Sequence, residues 1–168
     1  MATTAVLGIF GMLVSCSGGH EKKAYKVPTA LCGVSVDPDL VSPFLPPGDQ
    51  IKVLDTRPVP TRKLCRVDVD GKWAMMANLQ WWSEDVSITM VADANPQLGP
   101  AEISTNGNFY YSGTGAVVRV KDCKNPSHTR QILYTSLRVH DSHLGDASTM
   151  KKLATAYTKA VADTDECA

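Results

Sequence analysis

From Ile51 to Val139 apolar residues recur largely at every second position, the period of a strand with one buried face. The stretch Lys72–Trp82 is the clearest case: Trp73, Met75, Ala77, Leu79 and Trp81 fall on one side, Ala74, Met76, Asn78, Gln80 and Trp82 on the other. The first set is expected to face the core. Asp70-Gly71 separates this stretch from Leu64–Val69 and predicts a two-residue hairpin turn, because both residue types tolerate the positive φ such a turn needs. Upstream, Ile51 and Val53 alternate with Lys52 and Leu54, while Pro58 and Pro60 end that strand or confine it to a sheet edge. Val86, Ile88, Met90 and Ala92 predict another half-buried strand. Glu102–Thr105 and Asn108–Tyr111 flank Asn106-Gly107, a second two-residue hairpin signal, and Ala116–Lys121 and Gln131–Val139 read as two further strands.

The period changes towards the C-terminus. Met150, Leu153, Ala154, Tyr157 and Val161 form one helical stripe, which predicts a helix from Ala147 to Asp163 capped by Asp146 or Ser148. Near the other end, Asp37 is placed to cap a short helix over Pro38–Leu45 with proline in its first turn, and Pro46-Pro47-Gly48 ends it. Leu31–Val36 reads as a turn before it, tied down by Cys32. Strands in the middle with helices at both ends predict an α+β fold. Its antiparallel sheet has about five to seven strands, with a short N-terminal and a longer C-terminal helix packed on one face.

The first segment follows neither period. Ala5–Val14 is an almost unbroken apolar run, shorter than the roughly 20 residues a membrane-spanning helix needs and matching the core of a secretory signal. Leu13-Val14-Ser15-Cys16 follows, then Ser17-Gly18-Gly19. These residues resemble the lipobox of bacterial lipoproteins, which implies cleavage before Cys16 and a lipid on its thiol. Met1–Ser15 holds no Lys or Arg, a departure from signals that begin with a cation. The expected organisation is a signal peptide over 1–15, a lipidated cysteine with a flexible tether over 16–27, and one extracytoplasmic domain over 28–168.

Composition adds two constraints. Lys plus Arg and Asp plus Glu are both 17, and a chain without net charge gives no general reason to expect nucleic acid as a partner. The five cysteines are Cys16, Cys32, Cys65, Cys123 and Cys167. With Cys16 lipidated, an even number remains, suited to two disulfides in an oxidising compartment. Of the possible pairings, Cys32–Cys65 with Cys123–Cys167 staples each half of the domain separately. A zinc site is the rival reading, but zinc cysteines come in close pairs and these do not.

Candidate chemistry is sparse. His140-Asp141-Ser142-His143 would suit a metal if a third ligand joined it, and reads otherwise as a solvated strand end. Asp68-Val69-Asp70-Gly71 resembles a piece of a calcium loop, but the twelfth position is Leu79 and not an acid. Ser112-Gly113-Thr114-Gly115 precedes a strand, not the helix a phosphate loop needs. None of the G-x-S-x-G, S-x-x-K or H-E-x-x-H motifs occurs. No catalytic residue, metal ligand or cofactor is therefore assigned. Trp82 and Tyr110 remain as binding candidates, since in a strand they face away from the neighbours that form the core.

With the lipobox, Pro28-Thr29-Ala30-Leu31-Cys32 and the spacing of Cys65, Cys123 and Cys167, the chain resembles small actinobacterial lipoproteins of unknown function. Its strand-rich middle, C-terminal helix and inferred bridges are also similar to extracellular sensor domains of actinobacterial Ser/Thr kinases. The resemblance implies a place in the cell envelope and carries no catalytic residues over. The expectation is a non-enzymatic domain, held on the outer face of the cell membrane by its lipid, that binds a small ligand or an envelope protein. A hydrolase with a triad assembled from distant segments and a purely structural envelope protein are the alternatives.

Overall fold

The computed structural model describes residues 22–95, 98, 101–104 and 107–168. The expected signal peptide, Cys16 and the first part of the tether lie outside the described residues, as does Asn106.

The main sheet has seven antiparallel strands in the order β3-β4-β5-β9-β8-β7-β6. They are β3 (Ile51–Val59), β4 (Arg62–Val69), β5 (Lys72–Ser83), β6 (Glu102–Ile103), β7 (Phe109–Tyr111), β8 (Gly115–Arg119) and β9 (Gln131–Val139). A small hairpin, β1 (Ala30–Leu31) and β2 (Val34–Ser35), precedes them. The helices are α1 (Pro38–Val41), α2 (Ile88–Asp93) and α3 (Ala147–Ala162). The expected α+β class, the C-terminal helix and both bridges are present.

Local chemistry explains most of the elements. Asp37 accepts a hydrogen bond from the Asp39 amide at 2.9 Å and Pro38 takes the first helical position, so α1 starts where its cap requires. Pro43 then turns the chain into a short 3-10 segment, Ser42–Phe44. In α3 the Asp146 carboxylate accepts from the Thr149 amide at 2.6 Å. The Thr149 side chain, then this amide bond and the nearby Lys152, hold the Asp146 carboxyl below the usual carboxylate range. Between β4 and β5, Val69 pairs with Lys72 and leaves Asp70 and Gly71 at φ 49° and 77°, the two-residue turn expected there. Pro58 lies in β3, which is an outer strand of the sheet, where a missing N–H costs no ladder bond.

Two layers cover the sheet. On one face Met75, Ala77, Leu79 and Trp81 of β5 meet Leu133, Leu137 and Val139 of β9, together with Ala116 and Val118 of β8. Met150, Leu153, Ala154, Tyr157 and Val161 of α3 close over them, and Val41, Phe44 and Leu45 around α1 fill the adjoining space. The Thr135 and Thr158 hydroxyls, 2.6 Å apart, join sheet to helix inside this layer. Tyr157 donates to the Leu31 carbonyl at 3.3 Å. Burial keeps that phenol protonated far above its ordinary range, with Asp55 and Glu166 adding to the shift.

On the opposite face, Val117 and Tyr134 pack with Ile88, Val91, Ala92 and Leu98 in a smaller cluster. Here the structure corrects the strand expected over Val86–Ala92. Ser87 accepts from the Met90 amide at 3.3 Å, and Ile88, Val91 and Ala92 take helical spacing to cover β8 and β9, leaving Met90 56% exposed. The alternation of apolar residues was genuine, but the face to be covered decided the period. In the β6–β7 connection the Ser104 amide donates to the Phe109 carbonyl at 2.8 Å, and the turn expected at Asn106-Gly107 lies in part outside the described residues.

A further correction concerns register. β5 carries a bulge: Val67 opposes Met75 and Asp68 opposes Trp73, so Ala74 is the extra residue. Ala74 turns into the core, and Trp73, expected on the core side, stands on the other face against His140, with ring centroids 4.3 Å apart. At the domain's N-terminal boundary, residues 23–27 also contact the domain. Lys23 forms a bridge with Gly48, its ammonium donates to the Ser42 carbonyl, and Tyr25 donates to the Pro46 carbonyl. Tyr25 and Val27 pack on the core. Burial, with Asp70 nearby, pushes the Tyr25 phenol up to about 12.

Cys32–Cys65 and Cys123–Cys167 are both closed, with Cα atoms 5.2 and 4.6 Å apart. The first ties the β1–β2 turn to β4, and the second ties the end of α3 to the loop after β8.

Two measurements check this architecture. In the chain-entropy picture the bridge across 44 residues contributes about 4 kcal/mol, so replacing Cys123 and Cys167 together by Ala should lower urea stability by about that amount. A Cβ added at Gly115 would come within 2.3 Å of Leu98 Cδ2 and 2.6 Å of the Leu137 carbonyl. Gly115→Ala should therefore cost about 1–3 kcal/mol by overpacking, and an unchanged denaturation midpoint would contradict the close approach of Leu98 to the sheet.

Candidate functional site

Strand β8 alternates between the two layers, and where it ends the sheet stops short of full cover by α3. Phe109 on β7 and Val118 and Val120 on and after β8 point towards the helix, while Thr155, Thr158 and Ala162 lie on the flank of α3 that faces them. The space between is a groove of about 470 Å³. That is within the range of small-molecule sites, which run from roughly 300 to 1,000 Å³.

Its floor and its rim differ in chemistry. The floor is apolar: Phe109 sits edge-on to Tyr111, centroids 5.3 Å apart, and Val118 and Val120 are almost fully buried. The threonine hydroxyls are already engaged, Thr155 to the Lys151 carbonyl and Thr158 to Thr135. Around the rim stand Lys121, Lys151 and Lys159. The Lys151 ammonium lies 4.9 Å from the centre of the Tyr111 ring, a cation–π contact that fixes its position beside the groove. Among the described residues, none of these lysines forms an ion pair and no carboxylate lines the groove. The arrangement therefore offers an apolar slot with three lysines at its edge that form no direct ion pair among the described residues.

The residues singled out from the sequence are placed elsewhere. Trp82 and Tyr110 do face away from the α3 layer, as their register implies, and both are half-buried against the α2 cluster. The Trp82 indole N–H is buried there without an acceptor. Tyr110 is flanked by Phe109 and Tyr111, which look into the opposite layer and line or border the groove. His140 lies against Trp73 with the two ring planes tilted by 51°, while Asp141 caps a 3-10 turn, Ser142–Leu144, by accepting from the His143 amide at 2.9 Å. That turn absorbs the carboxylate and does not gather the two imidazoles. Among the described residues the group of possible metal ligands within reach of one another is Cys32, Cys65 and Asp55, and the two sulfurs there are bonded to each other.

The acidic hairpin has a structural role as well. Asp68 pairs with Arg66 at 2.6 Å, and the Asp70 carboxylate accepts from the Asp49 amide at 3.1 Å and the Gln50 amide at 2.8 Å. Trp81 lies in the core and stacks on His128, centroids 4.4 Å apart.

The groove was not read from the sequence. Its signal was present in α3, where Lys151, Thr155 and Lys159 recur every fourth residue along one flank of the apolar stripe. A polar flank of that kind is the ordinary solvated side of a helix, and only the neighbouring strand end makes it a wall.

Comparison with protein-family models, with curated proteins and with solved structures finds no significant match to this chain.

The Asp70 contacts can be tested directly. Asp70→Ala removes the acceptor for two amides and places a Cβ residue without a compensating side-chain bond at positive φ. It should lower stability in urea by about 1–2 kcal/mol, with Asp70→Asn costing less. Equal stability of the alanine variant and the parent would show that the turn does not depend on that carboxylate.

Proposed function

We propose that this chain is an exported lipoprotein whose domain, held at the outer face of the cell membrane through lipid on Cys16, binds a ligand without catalysing its conversion. The observation that carries the reading is the state of the cysteines. Cys32 with Cys65 and Cys123 with Cys167 close two bridges, the pattern of a protein that folds in an oxidising compartment. Cys16 is then the cysteine left over, and it stands directly after Leu13-Val14-Ser15, the sequence that resembles a lipobox. The groove between β8 and α3 supports ligand binding: it has an apolar floor, a charged rim, and polar groups that are either engaged within the fold or purely cationic. A protein of this kind needs no partner in solution to stay at the membrane.

The test separates anchor from bridges. In a bacterial host, the parent chain should incorporate an alkyne-tagged palmitate and fractionate with membranes, and Cys16→Ser should lose both properties. Under denaturing, non-reducing conditions the processed protein should show no maleimide-reactive thiol. Persistent labelling of the Cys16→Ser variant, or free thiols among the other cysteines, would overturn the proposal.

A further inference from the structure

The rim of the groove raises an electrostatic question that its floor answers. Three ammonium groups, on Lys121, Lys151 and Lys159, surround one apolar slot, and among the described residues none has an ionic partner. Cations at the edge of a low-dielectric surface attract an anion from solution. A small inorganic anion would satisfy a lysine of the rim and leave the apolar groove along Phe109 unfilled. A neutral apolar molecule would cover the floor and leave the charge unanswered. An anionic head joined to an apolar tail meets both demands.

We infer that the groove between β8 and α3 is a binding site for a single-chain anionic amphiphile of the fatty-acid type, its tail along Phe109, Val118 and Val120 and its carboxylate paired with a lysine of the rim, Lys121, Lys151 or Lys159. The inference rests on the reading of the chain as a ligand-binding module and names the ligand class for that same site. One chain, not two, follows from the volume of about 470 Å³, which is in the lower half of the range for small-molecule sites. Lysine suits the head group because its ammonium is a mobile point charge that accepts a carboxylate in more than one orientation. The position of Lys151 is the most defined of the three, since its ammonium is held over the Tyr111 ring. A domain anchored at a membrane surface would meet such amphiphiles as they leave the bilayer.

The experiment uses the full-length chain carrying Cys16→Ser, with both bridges closed, purified without detergent. Calorimetric titration with octanoate, decanoate and dodecanoate, each below its micelle-forming concentration, is compared with the alcohols of the same lengths and with acetate. Affinity should rise by up to about fourfold per methylene, and each carboxylate should bind roughly tenfold more tightly than its alcohol. Acetate should not bind measurably. Lys151→Glu combined with Lys159→Glu should erase the preference for the carboxylate while leaving alcohol binding in place, and the corresponding Gln pair should fall between. Ala162→Trp, which fills the slot, should weaken every chain length. Thermal melts report whether each variant is folded. Dodecanol binding as tightly as dodecanoate, or charge-reversed and slot-filled variants binding like the parent, would overturn the assignment. Absence of binding by all three carboxylates would overturn it too, while palmitate labelling at Cys16 would still stand as the separate measure of the anchored-lipoprotein reading.

Discussion

Helix α3 lays Met150, Leu153, Ala154, Tyr157 and Val161 against β5, β9 and β8, and the rest of the fold depends on burying that stripe. Each large side chain removed from water there contributes roughly 1.5–3 kcal/mol, so several together outweigh the approximately 4 kcal/mol expected from either bridge. The sheet cannot stand without this cover, because the residues of β5 and β9 that face α3 are almost entirely apolar. Hydrogen bonds then set the helix in register. The Thr135–Thr158 pair and the Tyr157 bond to Leu31 satisfy buried hydroxyls and leave α3 one seat on the sheet.

The same constraint creates the candidate site. Helix α3, of 16 residues, lies mainly on β8, with β9 and β7 on either side of that strand. Between the flank of α3 and the β7–β8 pair, apolar positions are left beside the polar side of the helix. The groove thus lies along the seam between helix and sheet, and Lys151 and Lys159, which the helix presents to solvent, stand on its rim. The Cys123–Cys167 bridge fastens the C-terminal end of α3 close by, which restricts opening or closing of that end.

The two faces of the sheet are treated unequally. One is covered by α3 and α1 and forms the larger core. Among the described residues the other is covered over β7, β8 and part of β9 by α2 and Leu98, and Gly115 must lack a side chain for Leu98 to reach the sheet. Trp82 and Tyr110 belong to this second layer. Their burial there accounts for two aromatics that alternation alone left looking outward.

Much of the architecture was legible in the residues themselves. The type of the β4–β5 turn, the edge position of a proline-bearing strand, the extent of β9 and of α3 and the caps of α1 and α3 all follow from local rules of φ, periodicity and capping. These rules act over a few residues, so the chain states them directly. What depends on partners distant along the chain was decided only by the folded structure. The Val86–Ala92 segment is compatible with either period, and the need to cover Val117 and Tyr134 made it helical. The bulge at Ala74 reversed Trp73 because β4 and β5 had to keep their pairing on both sides of it. The groove joins a strand end and a helix flank that are separated by β9 in sequence, and no local pattern records that they meet. Local geometry is written in neighbouring residues, whereas a cavity belongs to the space between elements, which exists only once the layers have packed.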